Sequence, residues 1–170
     1  MGIDVAGSTF GIHTETTSYV FGVTGEGLLR HLHWGGRIEL GDVIVEPLWE
    51  LSTNDLIQDV IPQEYPCHGR FRYNEHCLAI MFADGGRELD LRYAGHDLGT
   101  DLVVHLRDDK GVRVDLHYEV MPTIDVFRRW AVVHADVPLI LETGASAQFH
   151  LPYRDLELRN VAGRWGAEFQ

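Results

Sequence analysis

No apolar run in these 170 residues approaches the ~20 needed to cross a bilayer as a helix. The opening segment, MGIDVAGSTF, has neither the basic nor the apolar region of a secretory signal. Ala6 stands where N-myristoylation needs Ser or Thr. Cysteine is scarce: Cys67 and Cys77 are the only two, too few for a disulfide framework. A reducing, cytoplasmic location without a membrane partner is the expectation. Basic residues are outnumbered, with Lys plus Arg at 14 against Asp plus Glu at 26, a net charge of −12. That balance argues against nucleic acid and anionic membrane surfaces, which call for a basic patch. It leaves a neutral ligand such as a sugar open.

Chemical signatures are equally sparse. There is no G-x-S-x-G elbow, with Gly144-Ala145-Ser146 read as a strand entry, and no phosphate-cradling loop. His31-x-His33 alternates on a predicted strand, so both imidazoles are expected on one side. The pair resembles the first motif of the cupins, but Glu39 lies too far along and no second motif follows. Cys67-His68 and His76-Cys77 offer zinc-type ligands without Cys-x-x-Cys or a common finger spacing. Cys77 opens an apolar run, where a buried free thiol is expected. No metal and no cofactor are therefore expected. Trp34, Trp49, Tyr65, Phe71 and Tyr73 fit either a sugar-stacking platform or a sandwich core. A glycosidase needs two carboxylates about 5–10 Å apart, and nothing singles out two among the 26 acidic residues.

Apolar–polar alternation is what the sequence does have. Strands are predicted at Ser18–Val23 and Leu28–Trp34, joined by Gly25-Glu26-Gly27, with Gly35-Gly36 closing the second. Gly41–Leu51 starts as a strand, although Pro47 disfavours a central position. Ser52–Asp59 reads as loop or one helical turn capped by Ser52 or Asn54. Cys77–Phe82 and Arg87–Tyr93 flank a hairpin signal at Ala83-Asp84-Gly85-Gly86. Asp101–Leu106 and Val112–Val120 flank a second at Asp108-Asp109-Lys110-Gly111. Val112, Val114, Leu116, Tyr118 and Val120 share one face, and Arg113, Asp115, His117 and Glu119 the other. Val126–His134, Ser146–Leu151, Leu156–Val161 and Arg164–Phe169 follow. No long helical period or repeat appears. These features predict an all-β, antiparallel β-sandwich with little helix. The pattern runs to Gln170 without a polar tail, which predicts a domain incomplete at its C-terminus.

The series QEYP at Gln63–Pro66, DLRYAGH at Asp90–His96 and HYEVMPTIDVFRRW at His117–Trp130 is specific in combination. With LLRHLHWGGRI at Leu28–Ile38, HLP at His150 and AGRW at Ala162, it resembles the N-terminal β-supersandwich domain of glycoside hydrolase family 36 α-galactosidases. The resemblance covers nearly all of the chain and implies that residues 1–170 are the first part of that domain. It also implies a retaining enzyme whose two catalytic aspartates sit on a following (β/α)8 barrel, so no catalytic residue is expected here. The implied role is structural: packing on the barrel, homo-oligomer formation, and shaping the mouth of a neighbour's α-galactoside pocket. Family members carry Gly-Asp-Phe-Arg after the EYP turn, whereas Gly69-Arg70-Phe71-Arg72 stands here. Trp49, Arg70 and Arg72 are the candidate sugar-contacting residues. A donor-only guanidinium in place of a carboxylate would change such a contact. The alternative is a free-standing carbohydrate-binding sandwich without catalysis.

Overall fold

The computed structural model describes residues 1–43, 61–69, 75–121, 123–151 and 157. Among them are ten strands and one short 3-10 helix at Leu40–Asp42. The strands are β1 (Gly2–Ala6), β2 (Thr9–His13), β3 (Thr17–Val23), β4 (Leu29–Gly36), β5 (Leu78–Phe82), β6 (Arg92–Leu98), β7 (Leu102–Arg107), β8 (Val112–Met121), β9 (Val126–Ala135) and β10 (Leu139–Gly144). Two four-stranded antiparallel meanders, β1-β2-β3-β4 and β6-β7-β8-β9, form the layers, and β5 pairs with β10 in a separate ribbon. The all-β antiparallel expectation holds.

Alternation explains the core. Phe10, Ile12, Tyr19 and Phe21 of the first sheet and Val104, Leu116 and Tyr118 of the second are buried in one apolar cluster. The Phe21 and Tyr118 rings stack across the layers at 5.0 Å between centroids. On β8 the even-numbered residues Val112 to Tyr118 are fully enclosed while Arg113 is exposed, as a sheet wet on one side requires. β2 departs from this pattern, being buried along its whole length. Gly11 shows how its other face is covered: a Cβ there would stand 2.5 Å from His13 Nε2 and 2.7 Å from Leu40 Cδ2.

The sheets are fastened at opposite ends. At one, Asp125 of the β8–β9 turn accepts from the Thr16 amide at 3.1 Å and from the Thr16 hydroxyl, in the β2–β3 turn. At the other, the β3–β4 turn receives β6: Tyr93 N–H donates to the Gly27 carbonyl at 2.8 Å, and Arg92 Nη1 to the Glu26 carbonyl at 2.8 Å.

Several elements differ from the sequence expectation. The Ala83–Gly86 turn forms, with Phe82 N–H bonded to the Gly86 carbonyl at 2.8 Å. The chain beyond it does not pair back on β5. Leu89 and Leu91 enter the core instead, and the strand begins only at Arg92. β5 takes its partner from β10, which lies at Leu139–Gly144 rather than Ser146–Leu151, so Gly144 ends a strand and does not open one. The segment expected to begin a strand at Gly41 contributes the end of the 3-10 helix. β1 and β2 form an unexpected N-terminal hairpin. Pro47, Ser52 and Asn54, and the strands expected at 156–161 and 164–169 (residue 157 apart), lie outside the described residues.

Candidate functional site

The segment Ile61–Gly69, which contains QEYP, stitches the first sheet to the ribbon. Its Glu64 N–H bonds to the Leu29 carbonyl of β4 at 3.0 Å, and its Pro62 carbonyl accepts from His31 N–H at 2.7 Å. Farther along, the Pro66 carbonyl accepts from Cys77 N–H and His68 N–H donates to Leu78, both at 2.8 Å. Tyr65 reaches the ribbon's exit, its hydroxyl donating to the Ala145 carbonyl at 3.2 Å.

This route carries the Glu64 carboxylate into the space between the sheets, where it is 0% exposed. A carboxylate so placed must find partners. Tyr19 of β3 donates to Oε2 at 2.6 Å, Tyr118 of β8 to Oε1 at 2.8 Å, and Arg129 of β9 lies 3.1 Å from Oε1. The same guanidinium donates through Nη2 to the Glu64 carbonyl at 2.7 Å and through Nη1 to the Gln148 carbonyl at 3.3 Å. It also lies over the Tyr118 and Phe149 rings. One ionised pair therefore ties together both sheets, the connecting segment and the chain after β10.

Burial and the adjacent carboxylate both raise the Tyr19 hydroxyl far above its ordinary range, and burial does the same for Tyr118. Both phenols are therefore held as neutral donors. Burial works most strongly against the Arg129 charge, but Glu64 together with Tyr118, Tyr19 and Cys77 outweighs it, and the guanidinium is held protonated more firmly than in water. The arrangement satisfies a charge; with Glu64 wholly enclosed, it offers no carboxylate to a substrate.

The predicted metal-type residues fall as follows. β4 bulges at Leu32: His31 sits opposite Phe21 and His33 opposite Val20. Adjacent β3 residues face opposite sides, so the expected same-side pair is split. His31 is buried against Tyr19 and His150, and burial lowers it to about 4. His33 bonds the Gly36 carbonyl at 3.0 Å. The two Cys-His dipeptides do come together, with the His68 and His76 rings 5.0 Å apart. Both cysteines turn inward: Cys67 donates to the Leu89 carbonyl at 3.2 Å, and burial pushes the Cys77 thiol up to about 11. No group of three or more metal-type side chains occurs among the described residues. Trp34 and Tyr65 belong to the core assembly, as the packing alternative had it. Trp49, Arg70 and Arg72 lie outside the described residues.

A Ser-His-Asp grouping went unnoticed in the sequence. Ser18 Oγ is 2.7 Å from His13 Nδ1, and His13 Nε2 is 3.7 Å from Asp4. Ser18 is 0% exposed and its oxygen accepts from Ile38 N–H at 3.0 Å. A hydroxyl with no access to solvent is no nucleophile, so this cluster secures β2 to β3 and to the chain after β4.

The geometry agrees with relatives of known class. Residues 27–170 match the glycosyl hydrolase family 36 N-terminal domain. The chain is 32% identical over 189 residues to a probable α-galactosidase G of Aspergillus terreus, covering 98% of this chain and 26% of that protein. It is 28% identical over 104 residues to α-galactosidase 1 of Pediococcus pentosaceus, covering 55% of this chain and 14% of that one. The fold matches the family 36 α-galactosidase AgaB of Geobacillus stearothermophilus with a TM-score of 0.75 at 23% identity, over 86% of this chain and 24% of the other. The chain thus spans about a quarter of the length of the first of these relatives. With its motif residues assembled into the internal frame of such a sandwich, the chain belongs to the glycoside hydrolase family 36 N-terminal domain family.

Proposed function

We propose that the chain is the non-catalytic N-terminal part of an α-galactosidase that hydrolyses terminal α-galactosides once its barrel is present. The observation that carries this reading is the enclosure of Glu64. The most deeply placed carboxylate of the specific motifs holds two tyrosines and an arginine, and it is sealed from any sugar. A motif used for architecture suits a domain that positions other parts. The segment so anchored is flanked by residues 44–60 and 70–74, where Trp49, Arg70 and Arg72 stand. In this reading those three contact sugar at a neighbouring subunit's pocket mouth within a homo-oligomer, and the retaining chemistry belongs to two barrel aspartates.

The test is direct. The purified 170-residue chain is expected to release no galactose from an aryl α-galactoside or from melibiose. Activity that co-purifies and scales with the protein through every step would overturn the assignment. Calorimetric titration with raffinose separates the alternative: saturable binding by the chain alone would identify a free-standing carbohydrate-binding module.

A further inference from the structure

Each strand of the β6–β9 sheet places one ionisable side chain in a single line across its outer face. Asp97 of β6 is 3.1 Å from His105 Nε2 of β7, whose Nδ1 is 2.7 Å from Asp115 of β8. The other oxygen of Asp115 is 2.9 Å from His134 Nε2 of β9. Carboxylate and imidazole alternate along the line. An ionised carboxylate only accepts hydrogen bonds, so His105 satisfies both neighbours only when both of its ring nitrogens carry protons. We propose that this line is a proton-operated brace: doubly protonated His105 ties β6 through β7 to β8, where His134 of β9 is already held by Asp115, and its deprotonation loosens the edge strand β6.

The surroundings leave the line as a separate unit. On the same face Arg113 pairs with Asp136 at 3.1 Å, and Arg107 stands beside it in the cross-strand register. On the other side of the line, His117 stacks on Trp130, while Arg128 lies over Trp130 and pairs with Glu119. Arg92, at the β6 edge, is engaged by Asp90 at 3.0 Å.

The direction of the effect follows from the two central groups. The Asp115 hydrogen bond raises His105 above its ordinary value, more than offsetting partial burial, with Asp97 adding to it. A raised imidazole contributes stability that is complete below the unfolded value of about 6.5 and is lost as pH rises through the folded value. Partial burial opposes the Asp115 charge, but hydrogen bonds from His105 and His134 prevail and hold the carboxyl below its ordinary value. Its contribution is present above about 3.8 and fails only in stronger acid. The brace is therefore closed in mildly acidic solution and opens as pH rises through the folded value of His105.

Proton NMR of the full chain tests this without a variant. The His105 ring proton is expected to titrate with a midpoint above about 6.5. Across the same interval, amide exchange in β6, corrected for its intrinsic pH dependence, should speed up by at least about twofold while β3 stays unchanged. Asp115→Asn should bring the His105 midpoint down and remove the pH-dependent part of the exchange. A wild-type His105 midpoint at or below the ordinary value would overturn the proposal, as would a pH response spread evenly over both sheets.

Discussion

Glu64 and Arg129 are the side chains whose loss the sandwich should feel most. Removing one member of a buried ion pair leaves the other charge unpaired and costs about 3–5 kcal/mol. Glu64→Ala should therefore lower the unfolding free energy obtained from a urea titration by that amount, and Tyr118→Phe by a smaller one of about 1–3 kcal/mol. The double replacement Glu64→Leu with Arg129→Met should cost less than the two single changes added together, because neither charge is then stranded. Additive losses would show that the pair is uncoupled. Asp125 gives a pH prediction. Hydrogen bonds from the Thr14 and Thr16 hydroxyls, joined by backbone amides, lower its carboxyl to about 2. A depressed carboxyl contributes stability that is present above the ordinary value of about 3.8 and disappears as pH falls through about 2. Asp125→Asn should flatten the acid limb of stability in that interval, and an unchanged limb would count against the clamp. Part of this was legible. On β9 the inward row reads Phe127, Arg129, Ala131, Val133, and an arginine in an apolar row signals a buried partner. The partner was not legible, because Tyr19, Glu64 and Tyr118 are far apart in sequence and only the fold brings them together. The role expected of Arg70 and Arg72 rests on family likeness alone, whereas Trp49 is also one of the aromatics that fit a sugar-stacking platform.

The connecting segment offers a comparison between two glycines. Gly69 has φ +139, and a Cβ there would sit 2.8 Å from both the backbone nitrogen and the backbone oxygen of Leu89. Gly85 has φ +83 and open space around it. Gly69→Ala combines an unfavourable dihedral with a backbone clash and should cost well above 1 kcal/mol. Gly85→Ala carries only the dihedral cost, about 1 kcal/mol. Equal thermal shifts for the two would refute the close approach of segment and β6 lead-in. The same contrast explains which elements could be read in advance. β4 and β7–β8–β9 are wet on one side over much of their length and follow tight turns, so alternation and turn residues together locate them, while β3, buried from Ser18 to Gly22, is marked by its β-forming residues. β2 was missed although Phe10 and Ile12 alternate with Thr9, Gly11 and His13, because five residues with a glycine at the centre are a weak strand signal. β5 was found but given the wrong partner, because its true mate β10 is remote and no local turn announces the pairing. The β4 bulge that separates His31 from His33 is a register feature, which the alternation rule cannot supply.

At the scale of the whole molecule, the ten strands and one 3-10 turn among the described residues predict a far-ultraviolet circular dichroism spectrum of β type, with helix under about 15%. A spectrum dominated by helix would contradict the fold. The more searching prediction concerns apolar surface. On the β5–β10 ribbon Ile140 is 57% and Leu141 54% exposed, and a cleft of about 290 Å³ opens beside them between Met81-Phe82 and Pro138-Leu139. A second group, Val126, Phe149 and Leu151, is 44–54% exposed beside the β8–β9 turn and the chain after β10. A two-stranded ribbon is marginal by itself and gains stability when its apolar face is covered. Covering roughly 500 Å² of such surface contributes on the order of 12 kcal/mol at about 25 cal/mol per Å². Bringing two molecules together costs about 4–15 kcal/mol in lost freedom. Against a cost in the lower half of that range a surplus of about 4–8 kcal/mol remains, so the isolated chain should associate reversibly at micromolar to millimolar concentrations and not form a tight fixed oligomer. Sedimentation velocity over a concentration series should show a rising average mass, with binding of a hydrophobic dye that falls as association proceeds. Ile140→Asp and Leu141→Lys together should suppress the association while leaving the thermal transition within a few degrees, since both side chains already face solvent. A chain that stays monomeric and dye-silent across the series would mean that these strands complete their own core.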